Sequence, residues 1–466
     1  MVFSSITFLF YFIPAVLVIY VIAPQKLKNL VLLVASLTFY AWGEVPYMFI
    51  MLFLSVVDYV CGRKIDQYDD DPKRRKIYLW IDVGINLFML VFFKYFDFII
   101  TNLNAVTGLG LPLLGIPLPI GVSFNTFQSI SYIIDVYRRT TTCEKSYYNY
   151  LTYTTLFPQI IAGPIVRYIT VENELENRTI KLDDFSRGTR RFILGLAKKV
   201  LIANSVGYLW DLVSSGGVGD MSVSLYWIGI LAYTFQIYFD FSAYSDMAIG
   251  LAQVFGMYFD ENFDYPYISK SITEFWRRWH MTLSSWFRDY VYIPLGGNRR
   301  GTAIQLRNLL VVWGLTGLWH GASWNFVLWG LYFGVILIAE KLFLLDWLKK
   351  IPAFFQHLYT MLLVIVSWVL FAFEDLSAVF AYLRGMFGMG QVPLINDTAR
   401  YYLASYGAVL LIAAVFSAPV YQWVRKLEDR GGAAAATMSC AYVLLFLTCT
   451  AFLVNSTYNP FLYFRF

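Results

Sequence analysis

Apolar runs long enough to cross a bilayer recur along this chain, and they limit its fold more than any other feature. Residues 6–23, a short run at 30–42, then 47–61 and 77–100 follow one another within the first hundred positions. A hydrocarbon layer of about 30 Å takes roughly 20 residues of helix to span. Inside it every backbone N–H and C=O must find a partner within the protein, so only helices and closed barrels cross. Barrel strands alternate apolar and polar residues, whereas these runs are continuous. The chain therefore reads as an all-α, multi-pass membrane protein. Composition agrees: 58% of its 466 residues are hydrophobic and 14% are charged, against about 25% charged in soluble domains. The net charge of +5 is concentrated in loops. Membrane topology accounts for that pattern, and no nucleic-acid partner is expected.

Basic loops fall after every second crossing: Lys26 and Lys28, then Arg63 to Lys76, then Arg138 and Arg139. The positive-inside rule places these loops in the cytoplasm and the N-terminus outside. Residues 3–23 carry no charged n-region and read as a retained first span, not a cleaved signal peptide. The alternation breaks at residues 147–165, an apolar stretch with basic flanks on both sides that contains Pro158, Gly163 and Pro164. It is either a re-entrant element or a kinked span. Residues 183–199 form a basic amphipathic helix expected at the cytoplasmic interface, ahead of a crossing at 200–213. Residues 225–259 follow, with Gln236, Asp240 and Asp246 inside an apolar helix pattern. About eleven spans result, with re-entrant and interfacial pieces. No internal repeat is visible. A single domain over residues 1–466 is expected, with its catalytic core at about 115–340.

Two of the three histidines lie in residues 269–335. Ser271 and Glu274 have capping-box spacing. From there Trp276, Trp279, His280, Leu283, Trp286, Phe287 and Tyr290 recur at helical spacing. They predict one helix that runs until Pro294, with Arg277, Arg278 and Arg288 on its other faces. His280 is then either a packed histidine or faces a reaction chamber while the basic face binds an anion. His320 stands in an apolar run. A helix beginning near Leu309 would put it about eleven residues in, roughly 16 Å along and near mid-bilayer. Gly314, Gly317 and Gly321 leave room for close approach. An ionisable group at that depth is a functional candidate, and a neutral imidazole suits general-base work on a hydroxyl. The other reading is a histidine bonded between helices. His357 is assigned no function.

Asp240 and Asp246 would orient a histidine or pair with an arginine of this stretch. Asn125, Gln128, Asp135 and Gln159 either line the same wet cavity or bond neighbouring helices. Cys61, Cys143, Cys440 and Cys449 show no metal-ligand spacing, and no metal is expected. GxSxG, GxxxxGK[ST] and HExxH are absent, which removes motif support for the usual hydrolases, NTPases and zincins.

Several long segments, in order, resemble the membrane-bound O-acyltransferase family, in the bacterial branch that acetylates alginate. They are MVFSSITFLFYFIP, SFNTFQSISYIIDVYR, FPQIIAGPIVRY, YTFQIYFDFSAYSDMAIG, NFDYPYISKSITEFWRRWHMTLSSWFRDYVYIPLGGNR, LTGLWHGASWNFVLWG and the final NPFLYFRF. The resemblance covers nearly the whole chain. It implies that fold, with helices around a central tunnel. It implies His320 as the catalytic histidine and His280 as its upstream companion. Arg277, Arg278, Trp319, Asp240 and Asn325 become candidates for donor binding or the tunnel wall. Acetyl-CoA is the implied donor, taken up from the cytoplasm, with no permanently bound cofactor. The acceptor side implies an extracytoplasmic polysaccharide, an exopolysaccharide such as alginate or peptidoglycan, reached through a separate SGNH-hydrolase-like partner. A thioester on a carrier protein, as in teichoic-acid D-alanylation, is the other donor in the family. Tyr463 resembles the aromatic tail residue that carries an acyl group in those systems; it is otherwise an interfacial anchor. The implied location is the bacterial inner membrane. A polysaccharide or lipid exporter without acyltransferase activity is the alternative, since broken helices and mid-membrane charges suit that class too.

Overall fold

The computed structural model describes residues 1–161, 163–216, 221–389, 391–428, 432–456 and 458–462, and every regular element among them is helical. Seven helices among the described residues are long and apolar enough to cross a membrane, and a shorter apolar helix covers Phe8–Ile22. The chain is a multi-pass membrane protein. The seven do not map one to one onto the eleven expected runs. Residues 30–42 and 47–61 join into one helix bent at Glu44, ahead of Pro46. Residues 122–138 make a helix too short for a full span. The long helix through Asp240 has its apolar pattern interrupted by polar groups.

The chain divides into two compact units. The first comprises Met1–Phe192 and Ser245–Glu261. Its helices include α1 (Phe8–Ile22), α2 (Lys28–Gln67), α3 (Pro72–Thr107), α4 (Val122–Arg138), α5 (Tyr147–Thr155) and the first part of α6 (Leu182–Ser214). At the bend in α2 the Glu44 carboxylate accepts the Ile120 N–H at 2.9 Å. Deeper in the unit, buried Asp58 on α2 accepts from Asn86 of α3 at 2.8 Å, Ser129 of α4 at 2.5 Å and Tyr150 of α5 at 3.0 Å. Four helices are thus joined by polar bonds where lipid offers no hydrophobic drive. α5 stops at Thr155, and buried irregular backbone follows through Pro158 and Pro164. That is where the sequence places a re-entrant or kinked element. Asn125, Gln128, Asp135 and Gln159 are all buried in this unit. Asp246 pairs with Arg191 at 3.0 Å, an arginine outside the histidine-bearing stretch.

The second unit comprises Ile193–Tyr244 and Asn262–Phe466. It holds the rest of α6 and most of α7 (Val223–Val254), then α8 (Ile272–Arg278), α9 (Met281–Phe287), α10 (Thr302–His320), α11 (Trp324–Ala339), α12 (Ala353–Ala372), α13 (Asp397–Phe416) and α14 (Gly432–Asn455). Its interior is aromatic: Trp276, Trp279, Trp313, Trp329, Phe333 and Trp368 are buried in one cluster. Exposed Leu411 on α13, with Leu444 and Leu447 on α14, presents the apolar surface that lipid requires.

Candidate active site

The two histidines occupy positions the periodicity did not anticipate. Ser271 starts α8 as expected, accepting the Glu274 N–H at 3.0 Å. Glu340 of the following π-turn adds a second cap, accepting the Ile272 and Thr273 N–H groups at 2.7 and 2.8 Å. The expected single helix does not continue to Pro294. It ends at Arg278, and His280 takes left-handed backbone angles of φ 46° and ψ 55° before α9 begins. A non-glycine residue there costs of order 1–3 kcal/mol and persists only when its surroundings hold it. Asn262 does so. Its Oδ1 lies 2.9 Å from His280 Nδ1 and also accepts from the Thr282 hydroxyl at 2.9 Å. A carbonyl oxygen only accepts, so His280 carries its proton on Nδ1 and turns Nε2 away as the basic nitrogen. His280 is fully buried, and that burial pushes its pKa from 6.5 down to about 3.

His320 is the last residue of α10, not a mid-helix residue, because the helix begins at Thr302 instead of near Leu309. Gly301, at φ 91°, precedes the first turn. At about 1.5 Å per residue, His320 stands some 27 Å along the helix. Gly321 then leaves the helix in extended backbone, and α11 starts three residues later. The close approach expected at these glycines is made by α11, at Gly317 and Gly321 and not at Gly314. A Cβ on Gly317 would sit 2.3 Å from the Phe326 carbonyl oxygen, and one on Gly321 would meet the Phe326 ring at 2.3 Å. On the other side, a Cβ on Gly330 would sit 2.2 Å from the Trp313 carbonyl oxygen. Small residues at a helix crossing let backbones touch. Here they fix the hairpin whose tip presents His320.

The half-buried His320 ring is enclosed by aromatic edges. Its centroid is 4.9 Å from Trp319, 4.9 Å from Trp329 and 5.3 Å from Phe371, all near perpendicular. It opens on a cavity whose wall includes Ile237, Phe241, Trp279, Trp368 and Leu462. Among the described residues, Asp240 and His320 are the only acidic or basic ones in the wall. His280 is not part of the wall. Its ring stands 5.9 Å from Trp319, whose ring also contacts His320.

The remaining candidates separate. Trp319 and Asp240 line the cavity. Asp240 pairs neither with a histidine nor with an arginine of the central stretch; it pairs with Lys199 at 2.7 Å. Lys199 was expected on an interfacial face, yet it is buried. Asn325 is buried at the start of α11, where its amide donates to the Leu370 carbonyl at 3.2 Å and not to the cavity. Arg278 is held by Asp264 at 2.8 Å and Glu274 at 3.1 Å, while Arg277 is exposed. Tyr463 lies outside the described residues. Sequence reasoning missed Lys199, Asn262 and the wall residues Trp279, Trp329, Trp368 and Phe371. A buried acid in need of a base was the one available signal for Lys199.

Comparison with known proteins adds a family. A model of the membrane-bound O-acyltransferase family matches residues 144–383. The chain is 39% identical over 491 residues, the full length of both proteins, to the probable alginate O-acetylase AlgI of Pseudomonas putida. It is 33% identical to the peptidoglycan O-acetyltransferase of Helicobacter pylori, over 85% of this chain and 81% of that one. It is 28% identical to the teichoic acid D-alanyltransferase of Bacillus subtilis, over 53% of this chain and 65% of that one.

Proposed function

Because the chain belongs to the membrane-bound O-acyltransferase family, we propose that it moves an acetyl group from cytoplasmic acetyl-CoA to a hydroxyl bound for an extracytoplasmic polysaccharide, with His320 as general base. Acyl transfer by a membrane enzyme is the family's chemistry, and the exporter alternative gives way to it. One observation supports the choice of base: His320 stands at the tip of a rigid hairpin, in the wall of an aromatic cavity.

The chemistry follows from that wall. The imidazole takes the proton of an acceptor hydroxyl as the oxygen attacks the thioester carbonyl carbon. The tetrahedral intermediate then expels the CoA thiolate, and the imidazolium returns the proton to sulfur. Rings on most sides exclude water, which protects the thioester from hydrolysis. His280 touches neither reactant; through Trp319 it positions His320. Arg277, exposed two residues before Trp279, is assigned to the donor's phosphates, since Arg278 is already engaged. Tyr463 is the proposed relay, holding the acetyl group as a phenyl ester. Phe461 and Leu462, just before it, already stand in the cavity wall. The basic loops face the cytoplasm, the membrane is the inner membrane, and an SGNH-hydrolase-like protein completes delivery to alginate or peptidoglycan.

Proteoliposomes supplied with acetyl-labelled acetyl-CoA, the partner and the polymer test this reading. His320→Ala should lower transfer by about 10² to 10⁴-fold, the usual contribution of a general base. Full activity in that variant refutes the assignment. An undiminished rate in Tyr463→Phe removes the relay alone. Label taken only from a carrier-protein thioester replaces the donor and leaves the site.

A further inference from the structure

A buried ion pair next to the cavity has work that the transfer mechanism leaves unassigned. Lys199 on α6 and Asp240 on α7 meet at 2.7 Å, with side chains 4% and 3% exposed. A buried pair of this kind is on balance no more stabilising than apolar residues of similar volume. Its partners show what else it does. Asp240 Oδ2 accepts the Leu462 backbone N–H at 2.8 Å, and the Lys199 ammonium donates to the Pro460 carbonyl oxygen. The same segment is tied at two further points: the Tyr458 hydroxyl donates to Asp211 at 2.6 Å, and Asn204 donates to Asn459 at 3.2 Å. The Phe461 ring lies 5.0 Å from Tyr244. The result is that Phe461 and Leu462 become part of the wall that also holds His320.

We propose that Lys199 and Asp240 are positioning residues: together they form a clasp that seats residues 458–462 as one wall of the transfer cavity. The clasp grips only main-chain groups at Pro460 and Leu462. It therefore has a direction: the ammonium donates to a C=O and the carboxylate accepts an N–H. Lysine has no acceptor and a carboxylate has no donor, so the two side chains cannot trade places and keep the grip. A pair that merely stapled α6 to α7 would tolerate the exchange. The proposal rests on the cavity being the transfer site, but the position of the segment is measurable without any turnover.

The test uses the full-length chain in proteoliposomes, with Cys61, Cys143, Cys440 and Cys449 replaced by alanine and Pro460→Cys as a reporter for maleimide labelling. The double variant Lys199→Met with Asp240→Leu substitutes apolar groups for the pair and is expected to fold. Labelling should rise by about tenfold, on the scale of losing one or two hydrogen bonds. In the same double variant without the reporter, kcat should fall while the donor KM stays near the parent value. The exchanged variant Lys199→Asp with Asp240→Lys should behave like the apolar one. Leu462→Pro, which deletes the gripped N–H and leaves α6 and α7 untouched, should also raise labelling; it decides the matter if the double variants do not accumulate. Unchanged labelling in Leu462→Pro, or parental labelling and kcat in the exchanged variant, overturns the clasp. His320→Ala should leave labelling unchanged, so a failure of the base assignment is distinguished from a failure of the clasp.

Discussion

At His320 the backbone leaves the helix while the ring stays among Trp319, Trp329 and Phe371. At His280 the reverse holds: the backbone is strained and the ring is buried beyond reach of the cavity. The two residues should therefore respond differently to pH. His280 binds a proton in the unfolded chain below pH 6.5 but, in the fold, only near pH 3. The unfolded state thus holds more protons across that window, and stability falls as pH drops from 6.5 toward 3. His280→Gln, which cannot ionise, should lose less thermal stability than the parent over that range, as measured by unfolding in detergent. An identical acid sensitivity in the variant contradicts the buried neutral imidazole. Both histidines stood out as candidates in the sequence, because so few histidines stand in so apolar a chain. Their geometry was not. A left-handed non-glycine residue leaves no mark in a periodic pattern, and the aromatic spacing runs unbroken across Trp279 and His280.

Among elements, the α10–α11 hairpin is the part that sets the site. Its two helices touch through Gly317 and Gly330 with no space for a methyl group. Gly330→Ala should cost about 1–3 kcal/mol, as overpacking of a close contact does. Thermal unfolding of the purified protein measures the loss, and activity should drop with it as His320 shifts. Gly314→Ala, where nothing lies within 4 Å of the added methyl, should leave both unchanged. The sequence located these glycines and left open whether backbone or substrate approaches them; helix packing uses Gly317 and Gly321. Spacing shows that backbones come close and does not show what approaches. In the same way, the basic pattern of residues 183–199 suggested an interfacial face. Lys199 turned inward because Asp240, 41 positions later, supplies a counter-charge that no local window contains.

For the whole molecule, the apolar runs were legible because bilayer thickness imposes one length on every crossing. Membership in an all-helical membrane family followed from the order of long motifs. Individual crossings were less legible, since a bend such as Glu44 joins two runs into one helix and polar residues interrupt the apolar pattern of the helix through Asp240. The cavity was the least visible feature. Its wall gathers residues from position 237 to position 462, and no stretch of chain contains them together. Four of the fourteen tryptophans, Trp279, Trp319, Trp329 and Trp368, stand in that wall. The cavity therefore contributes a distinct share of the molecule's intrinsic fluorescence. A bromoacetyl thioester is a heavy-atom quencher small enough to enter, and it should dim a fraction of the emission near four parts in fourteen. Bromide added to the bulk solution should not reproduce that loss, so occupancy of the chamber can be followed by light without a label.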